Sequence, residues 1–349
     1  MNIALDAMGG DFGPVPNLAG AALALAEFPQ IEKLLLVGRP DELEAGRARI
    51  RLVDARVEIV PASEVVDMHD SAVSAIRRKK NSSIAVATDL VRDGRADAVV
   101  SAGHTGAAVA ASTLKLRTLP GIDRAGILTP FPNEALGVCY LIDAGANVDS
   151  RPEHLVQHAL MGWTYVKHVH RKPNPTVGLM SNGEEESKGN ELTKEVFARL
   201  AALRPHGLNF VGNIEGRDLL SAPVDVAVCD GFVGNVLLKG CEGTAKAFAR
   251  ALKAEVTASA WRKALASLLR PAFRGVHARM SYETYGGSPL LGVNGVTIIA
   301  HGSSNAVAIK NALRVAAEAI SHRVNPHIAE EVSRFLQSPA APPPASTHA

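Results

Sequence analysis

The chain has 349 residues, with 37 Lys and Arg against 35 Asp and Glu for a net charge of +2, and is 47% hydrophobic but only 4% aromatic. This balance excludes a mostly disordered or collagen-like chain, and near-neutrality argues against bulk electrostatic binding of nucleic acid. Three cysteines without a C-x-x-C pair argue against a zinc ribbon or a disulfide scaffold, and no apolar run reaches the ~18 residues of a membrane span. Asp6 and Asp11 interrupt the apolar start, which does not read as a signal peptide, so the expected location is the cytoplasm.

In chain order, a strand at Asn2–Leu5 precedes a helix over Pro16–Glu27, and strands follow at Lys33–Val37 and Val57–Val60. A helix over Ser82–Asp93 leads to a strand at Ala98–Ser101 and a helix over Gly106–Leu116. Ile127–Phe131 and Val138–Asp143 are separated only by a short stretch with Pro132 and Asn133, which predicts an antiparallel hairpin. Then come a helix over Pro152–Val169, a strand at Val177–Ser181, a helix over Glu191–Leu203 and strands at Leu208–Gly212 and Val224–Cys229. A helix over Asn235–Lys253, a strand at Val296–Ala300 and a helix over Ser304–His322 complete the series. Most strands are continuous apolar runs, as expected of strands covered on both faces. The alternation predicts a three-layer α/β/α fold around a large, mainly parallel sheet. A TIM barrel is the competing architecture, but the hairpin and the helical insertion break an eightfold βα count. One domain over residues 1–325 is expected, with a helical, membrane-facing insertion near 240–285 and a disordered Pro/Ala-rich tail over 326–349.

Parallel sheets place ligands beyond the carboxyl ends of their strands. Seven predicted strand ends carry small and polar residues: Asp6 to Asp11, Ala102 to Gly106, Asp143 to Asn147, Ser181 to Asn190, Gly212 to Asp218, Asp230 to Asn235 and His301 to Ser304. Glycine lets backbone N–H groups approach a ligand, and two of these loops open helices whose free amides favour an anion. Lys188 adds a full positive charge. Ordinary turn and cap chemistry explains any single loop, but the set points to one large polar site for phosphate or another oxyanion. G-x-G-x-x-G, the P-loop and the G-x-S-x-G elbow are all absent. Asp6, Asp143 and Asp230 are an alternative magnesium set, although a strand-end Asp often only caps its loop. His154 and His158 stand at i, i+4 without the Glu of a zinc protease motif and read as solvated helix-face residues. His104 and His301 both lie on Gly-rich loops, and His301 is a candidate for orienting a substrate or moving a proton.

The loops DAMGGDFGP, SAGHTGA, LIDAGAN, GEEESKGN, NIEGRD, CDGFVGN, GGSPLLGVNG and HGSS, in this order over roughly residues 1–320, resemble the successive motifs of the bacterial phosphate acyltransferase family of phospholipid synthesis, PlsX. The resemblance implies a fold similar to the isocitrate/isopropylmalate dehydrogenases and phosphotransacetylases, a homodimer, and no metal or nucleotide cofactor. It implies transfer of a fatty acyl group from acyl carrier protein to inorganic phosphate, with the acyl phosphate consumed by a membrane glycerol-3-phosphate acyltransferase. In that scheme Lys188 supplies charge to phosphate, and Asn235 with nearby backbone amides stabilises the oxyanion. Gly103, His104, Thr105 and Gly106 cradle phosphate, while Asp230 and His301 orient their neighbours. Asp6, Gly9, Gly10, Asn190 and Gly234 complete the expected substrate contacts. The chain departs from the family at His104, where Asn is usual. Lys188 has an alternative as a helix-face partner of Glu184.

Two basic stretches suit an acidic partner: Arg77 to Lys80, and Val256 to Tyr282, which has five Arg or Lys and no acidic residue. In the second, Trp261, Leu265, Leu268 and Leu269 fall near one helical face, the pattern of a peripheral membrane contact; packing at a dimer interface is the alternative. Rival functions are a coenzyme A-dependent phosphotransacetylase, a metal-dependent dehydrogenase and a non-catalytic membrane adaptor for acyl carrier protein.

Overall fold

The computed structural model describes residues 1–67, 69–135, 137–221 and 224–337. β1 (Asn2–Asp6) leads to α1 (Pro14–Glu27), β2 (Lys33–Gly38), α2 (Pro40–Ile50) and β3 (Val57–Pro61). α3 (Ala72–Arg78) and α4 (Ser83–Arg92) precede β4 (Ala98–Ser101) and α5 (Thr105–Lys115). β5 (Gly126–Ile127), β6 (Thr129–Pro132) and β7 (Val138–Ile142) follow, then α6 (Pro152–Val169), β8 (Val177–Met180) and α7 (Glu191–Ala202). β9 (Phe210–Ile214), α8 (Asp218–Ser221) and β10 (Val226–Val228) lead to α9 (Gly231–Val256), α10 (Ala260–Leu268), α11 (Arg270–Met280) and α12 (Tyr282–Tyr285). β11 (Ser288–Leu291), β12 (Val296–Ile299), α13 (Ala306–Ser321) and α14 (Val324–Gln337) close the chain.

The class is α/β, as expected, but the strands form two sheets rather than one. The first has seven strands in the order β3-β2-β1-β4-β12-β11-β5, and the second has five in the order β6-β7-β10-β8-β9. Pairing is parallel except around β11, which runs antiparallel to β12 and β5, and between β6 and β7, the predicted hairpin. Only Leu128 separates β5 from β6, and its N–H donates to the Pro289 carbonyl, so one extended stretch passes from the first sheet to the second. The central strands bury both faces: Leu34, Leu35, Leu36 and Val37 are all buried in β2, which is why these strands read as unbroken apolar runs.

The structure differs from expectation at two places. Residues 326–337 are not a disordered tail but most of α14. Ile328, Val332 and Phe335 follow at intervals of four and three, lie on one helical face and are buried, and α14 packs on α6. Residues 338–349 lie outside the described residues. His154 and His158 are also not solvated, being 4% and 0% exposed. α6 is buried from His154 to Val166, with the second sheet, α7 and α14 packed around it, so no face is left for water. Residues 240–285 fall in α9 to α12. α9 buries only Gly231 and Gly234, and its outer half with α10 and α11 is largely exposed.

Candidate active site

Register brings the first set of loops together. Asp6 of β1 pairs with Ser101 of β4, which pairs with Ile299 of β12. The loops that follow these three residues therefore leave the sheet side by side. The Ser101 hydroxyl donates to Asp6 Oδ2 at 2.7 Å, and the Gly103 N–H donates to Ser101 Oγ at 3.1 Å. A Cβ at Gly9 would stand 2.7 Å from the Gly103 nitrogen, so glycine there allows the two loops to touch. The Asp11 N–H donates to the Gly302 carbonyl at 2.8 Å and ties in the third loop.

His104 caps α5. Its Nδ1 accepts the Ala107 N–H at 3.2 Å, so in the neutral ring the proton sits on Nε2. Thr105 and Gly106 are the first residues of α5, where backbone amides lack carbonyl partners within the helix. A hollow at this point is lined by Asp6, Gly9, Ser83, Ser101, Gly103 and His104. Burial raises the Asp6 carboxyl above the usual carboxylate range. In the third loop, His301 Nδ1 accepts the Ser303 N–H at 3.2 Å and lies 2.8 Å from Ser303 Oγ. Burial, seconded by Lys239, holds His301 below its ordinary value, which favours the neutral ring.

The second set of loops leaves the other sheet. Asp143, at the end of β7, is buried and takes N–H groups from Ile127, Gly145 and Ala146 on Oδ1, and the Asn147 N–H and Nδ2 on Oδ2. Its lone pairs are committed to organising this loop. Asp230 caps α9 by accepting the Val233 N–H at 2.9 Å. Neither carboxylate is thus presented as a metal ligand, and no group of three His, Cys, Asp or Glu side chains suited to a metal occurs among the described residues. A Cβ at Gly234 would overlap the Asp143 carbonyl, so only glycine lets α9 start against this loop. Asn235 lies next on α9, beside Gly145, with its side chain exposed.

Lys188 follows β8, the neighbour of β10. It is exposed and forms no ion pair among the described residues. The alternative pairing with Glu184 is not realised. Residues 184–188 form bends and a short turn rather than a helix, and Glu184 instead meets Arg217 at 3.1 Å. Asn190 caps α7 by accepting the Thr193 N–H at 2.9 Å. In the other basic stretch Lys79 is tied to Asp70 at 2.7 Å.

The expected site residues therefore fall into two halves. Asp6, Gly9, Gly10, the Gly103–Gly106 loop and His301 sit at the edge of the first sheet. Lys188, Asn190, Asp230, Gly234 and Asn235 sit at the edge of the second. α9 bridges them: Leu238 packs against the apolar clusters of both sheets, and Glu242 Oε2 lies 3.9 Å from His301 Nε2. Ser83 and Ser101 are lining residues that sequence reasoning passed over. The signal for Ser101 was its place as the last residue of a predicted strand; Ser83 comes from a helix start far from the glycine loops. Trp261, Leu265, Leu268 and Leu269 stand away from both halves on or beside α10, and all four are exposed.

Chemically, the site offers backbone amides and neutral donors to an anion. Its nearby thiols are not set up as nucleophiles: burial pushes Cys229 well up and Cys139 to about 12. Fold and site together define an α/β protein with a polar hollow at its strand ends. A family profile described as "Fatty acid synthesis protein" matches residues 1–327. The chain is 54% identical over 338 residues to a phosphate acyltransferase of Akkermansia muciniphila, covering 96% of this chain and 97% of that one. It is 51% identical over 324 residues to a phosphate acyltransferase of Pelotomaculum thermopropionicum, covering 93% of each. In fold it is similar to a phosphotransacetylase from Streptococcus pyogenes, with a TM-score of 0.60 and 18% identity over 92% of this chain and 94% of that one. The chain belongs to the fatty acid synthesis protein family, that of the phosphate acyltransferases, and is an acyltransferase.

Proposed function

We propose that the chain transfers a long-chain fatty acyl group from acyl carrier protein to inorganic phosphate, giving acyl phosphate for phosphatidic acid synthesis. The observation that carries this reading is the hollow beside the start of α5, with backbone amides, the Nε2–H side of His104 and the Ser101 and Ser83 hydroxyls around it. Hydrogen phosphate is itself the nucleophile. One of its oxygens forms the new C–O bond to the thioester carbonyl, the C–S bond breaks, and the carrier thiol leaves with the proton that phosphate gives up. The protein's task is to hold the two reactants together, worth ~7–11 kcal/mol in favourable cases, and to stabilise the carbonyl oxyanion. Lys188 supplies charge to phosphate, and Asn235 with the amides of the Asp230 loop faces the developing oxyanion. Asp230 fixes the start of α9, and His301 donates from Nε2.

In this scheme α9 to α11 carry the contacts with the rest of the pathway. No helix among the described residues is long and apolar enough to cross a membrane. Trp261, Leu265 and Leu268 are 64%, 55% and 75% exposed, and Arg262, Lys263, Arg270 and Arg274 lie among them. This supports reversible contact with an anionic membrane surface, where a glycerol-3-phosphate acyltransferase takes up the product. The same basic face suits acidic acyl carrier protein, and a homodimer is part of the proposal.

The test is acyl phosphate formation from long-chain acyl carrier protein and phosphate with EDTA present. Turnover that saturates in phosphate is the expected result. Turnover only with short-chain coenzyme A thioesters would replace the donor, and carrier protein binding without turnover would leave an adaptor.

A further inference from the structure

We propose that Asp6 makes the cradle selective for a protonated oxyanion: its Oδ1 shares one proton with an oxygen of hydrogen phosphate, and sulfate, which carries no proton at neutral pH, is refused. This rests on reading the hollow beside α5 as the phosphate site.

A carboxylate stands at the hollow where an anion would bind. Asp6 is 2% exposed and lines the same hollow as His104 and Ala107, the cap and first turn of α5. Its Oδ2 is occupied, because Ser101 donates to it, and Ser101 is held in that role by the Gly103 N–H that it accepts. Its Oδ1 has no hydrogen-bond partner among the described residues. The Ser83 hydroxyl and the Met8 and Gly9 amides lie near enough to Asp6 to oppose the burial effect. A buried polar atom without a partner is costly, and here the missing partner is a donor or a shared proton. Val65, Val66 and Ile84 also line the hollow, so water screens the carboxyl poorly there.

An ionised carboxylate only accepts hydrogen bonds. It repels a fully deprotonated oxyanion and pairs with one that keeps an O–H. Phosphate and arsenate keep that O–H at neutral pH, whereas sulfate does not. The remaining oxygens are left to the amides at the start of α5 and Nε2–H of His104.

The experiment compares sulfate and arsenate as competitors of phosphate in the acyl transfer assay, for the wild-type chain and for Asp6→Asn. In the wild type, arsenate should compete at concentrations like those of phosphate, and the sulfate inhibition constant should exceed the phosphate KM by roughly 100-fold, the scale for leaving a buried charged group unpaired. In Asp6→Asn the amide can donate where Oδ1 accepted, so the phosphate KM should rise, sulfate inhibition should tighten and the ratio should collapse toward one. Sulfate inhibiting the wild type as readily as phosphate saturates it would overturn the proposal while leaving the phosphate site standing. A folded Asp6→Asn that keeps the wild-type ratio would overturn it as well. Failure of phosphate to saturate the wild type would remove both readings. If Asp6→Asn does not fold, the wild-type comparison alone decides.

Discussion

A single backbone contact illustrates how narrowly the site is built. A methyl group at Gly234 would overlap the Asp143 carbonyl, so Gly234→Ala should push α9 away from the β7 loop and remove most activity. Its thermal midpoint should also fall, which a melt followed by circular dichroism would detect. Lys188 sits at the opposite extreme. It is exposed, with no ion pair among the described residues, so Lys188→Ala should leave the melt unchanged. If it supplies charge to phosphate, kcat/KM for phosphate should fall by roughly 10²-fold, the usual scale for losing one electrostatic donor, and Lys188→Arg should recover part of the loss. Near-normal turnover in Lys188→Ala would remove it from the site. His158 makes a different point. It is fully buried, neither ring nitrogen has a hydrogen-bond partner among the described residues, and burial lowers it below its ordinary 6.5. The folded chain therefore binds fewer protons than the unfolded chain as pH falls through 6.5, and stability drops in that window. His158→Leu should lose less of its melting temperature between pH 7.5 and 5.5 than the wild type does.

Among the elements, α9 joins chemistry to surface. Its first turn is fixed against the Asp143 loop by Asp230 and Gly234, its middle reaches His301 through Glu242, and its outer half runs into solvent toward α10. On α10, Trp261, Leu265 and Leu268 are spaced four and three residues apart, which places them on one face. If that face contacts membrane, paired Leu265→Glu and Leu268→Glu changes should weaken binding to anionic vesicles by at least about tenfold, while turnover of soluble acyl carrier protein continues. Unchanged vesicle binding in the folded variant would count against the contact. The glycine loops were legible because Gly-rich strand ends carry their own signature. Ser83 was not, because its helix start has no glycine and reaches the hollow only when α4 packs beside β1. His104 was legible as a loop residue, but its tautomer was not, since that depends on the Ala107 amide.

At the scale of the molecule, the two sheets share the extended stretch from β5 to β6, and α6 with α14 covers part of the second. Phe335 of α14 is buried and meets Trp163 of α6 edge-on, with ring centroids 5.7 Å apart. Removing it leaves a cavity between the helices, so Phe335→Ala should cost about 3–5 kcal/mol of stability, read from urea unfolding. A loss below about 1 kcal/mol would mean that α14 contributes little to the fold. Sequence patterning alone determined the α/β class, the hairpin, most strands and helices, and the sequence of polar strand ends, because apolar periodicity and glycine-rich turns are local properties of the chain. Only the tertiary structure decided that the strands divide between two sheets, that the polar loops meet as two halves under α9, that residues 326–337 dock as a helix, and that His154 and His158 are buried. Each of these depends on which distant segment packs against which, and a side chain's solvation and protonation are set by those neighbours rather than by its own position in the chain.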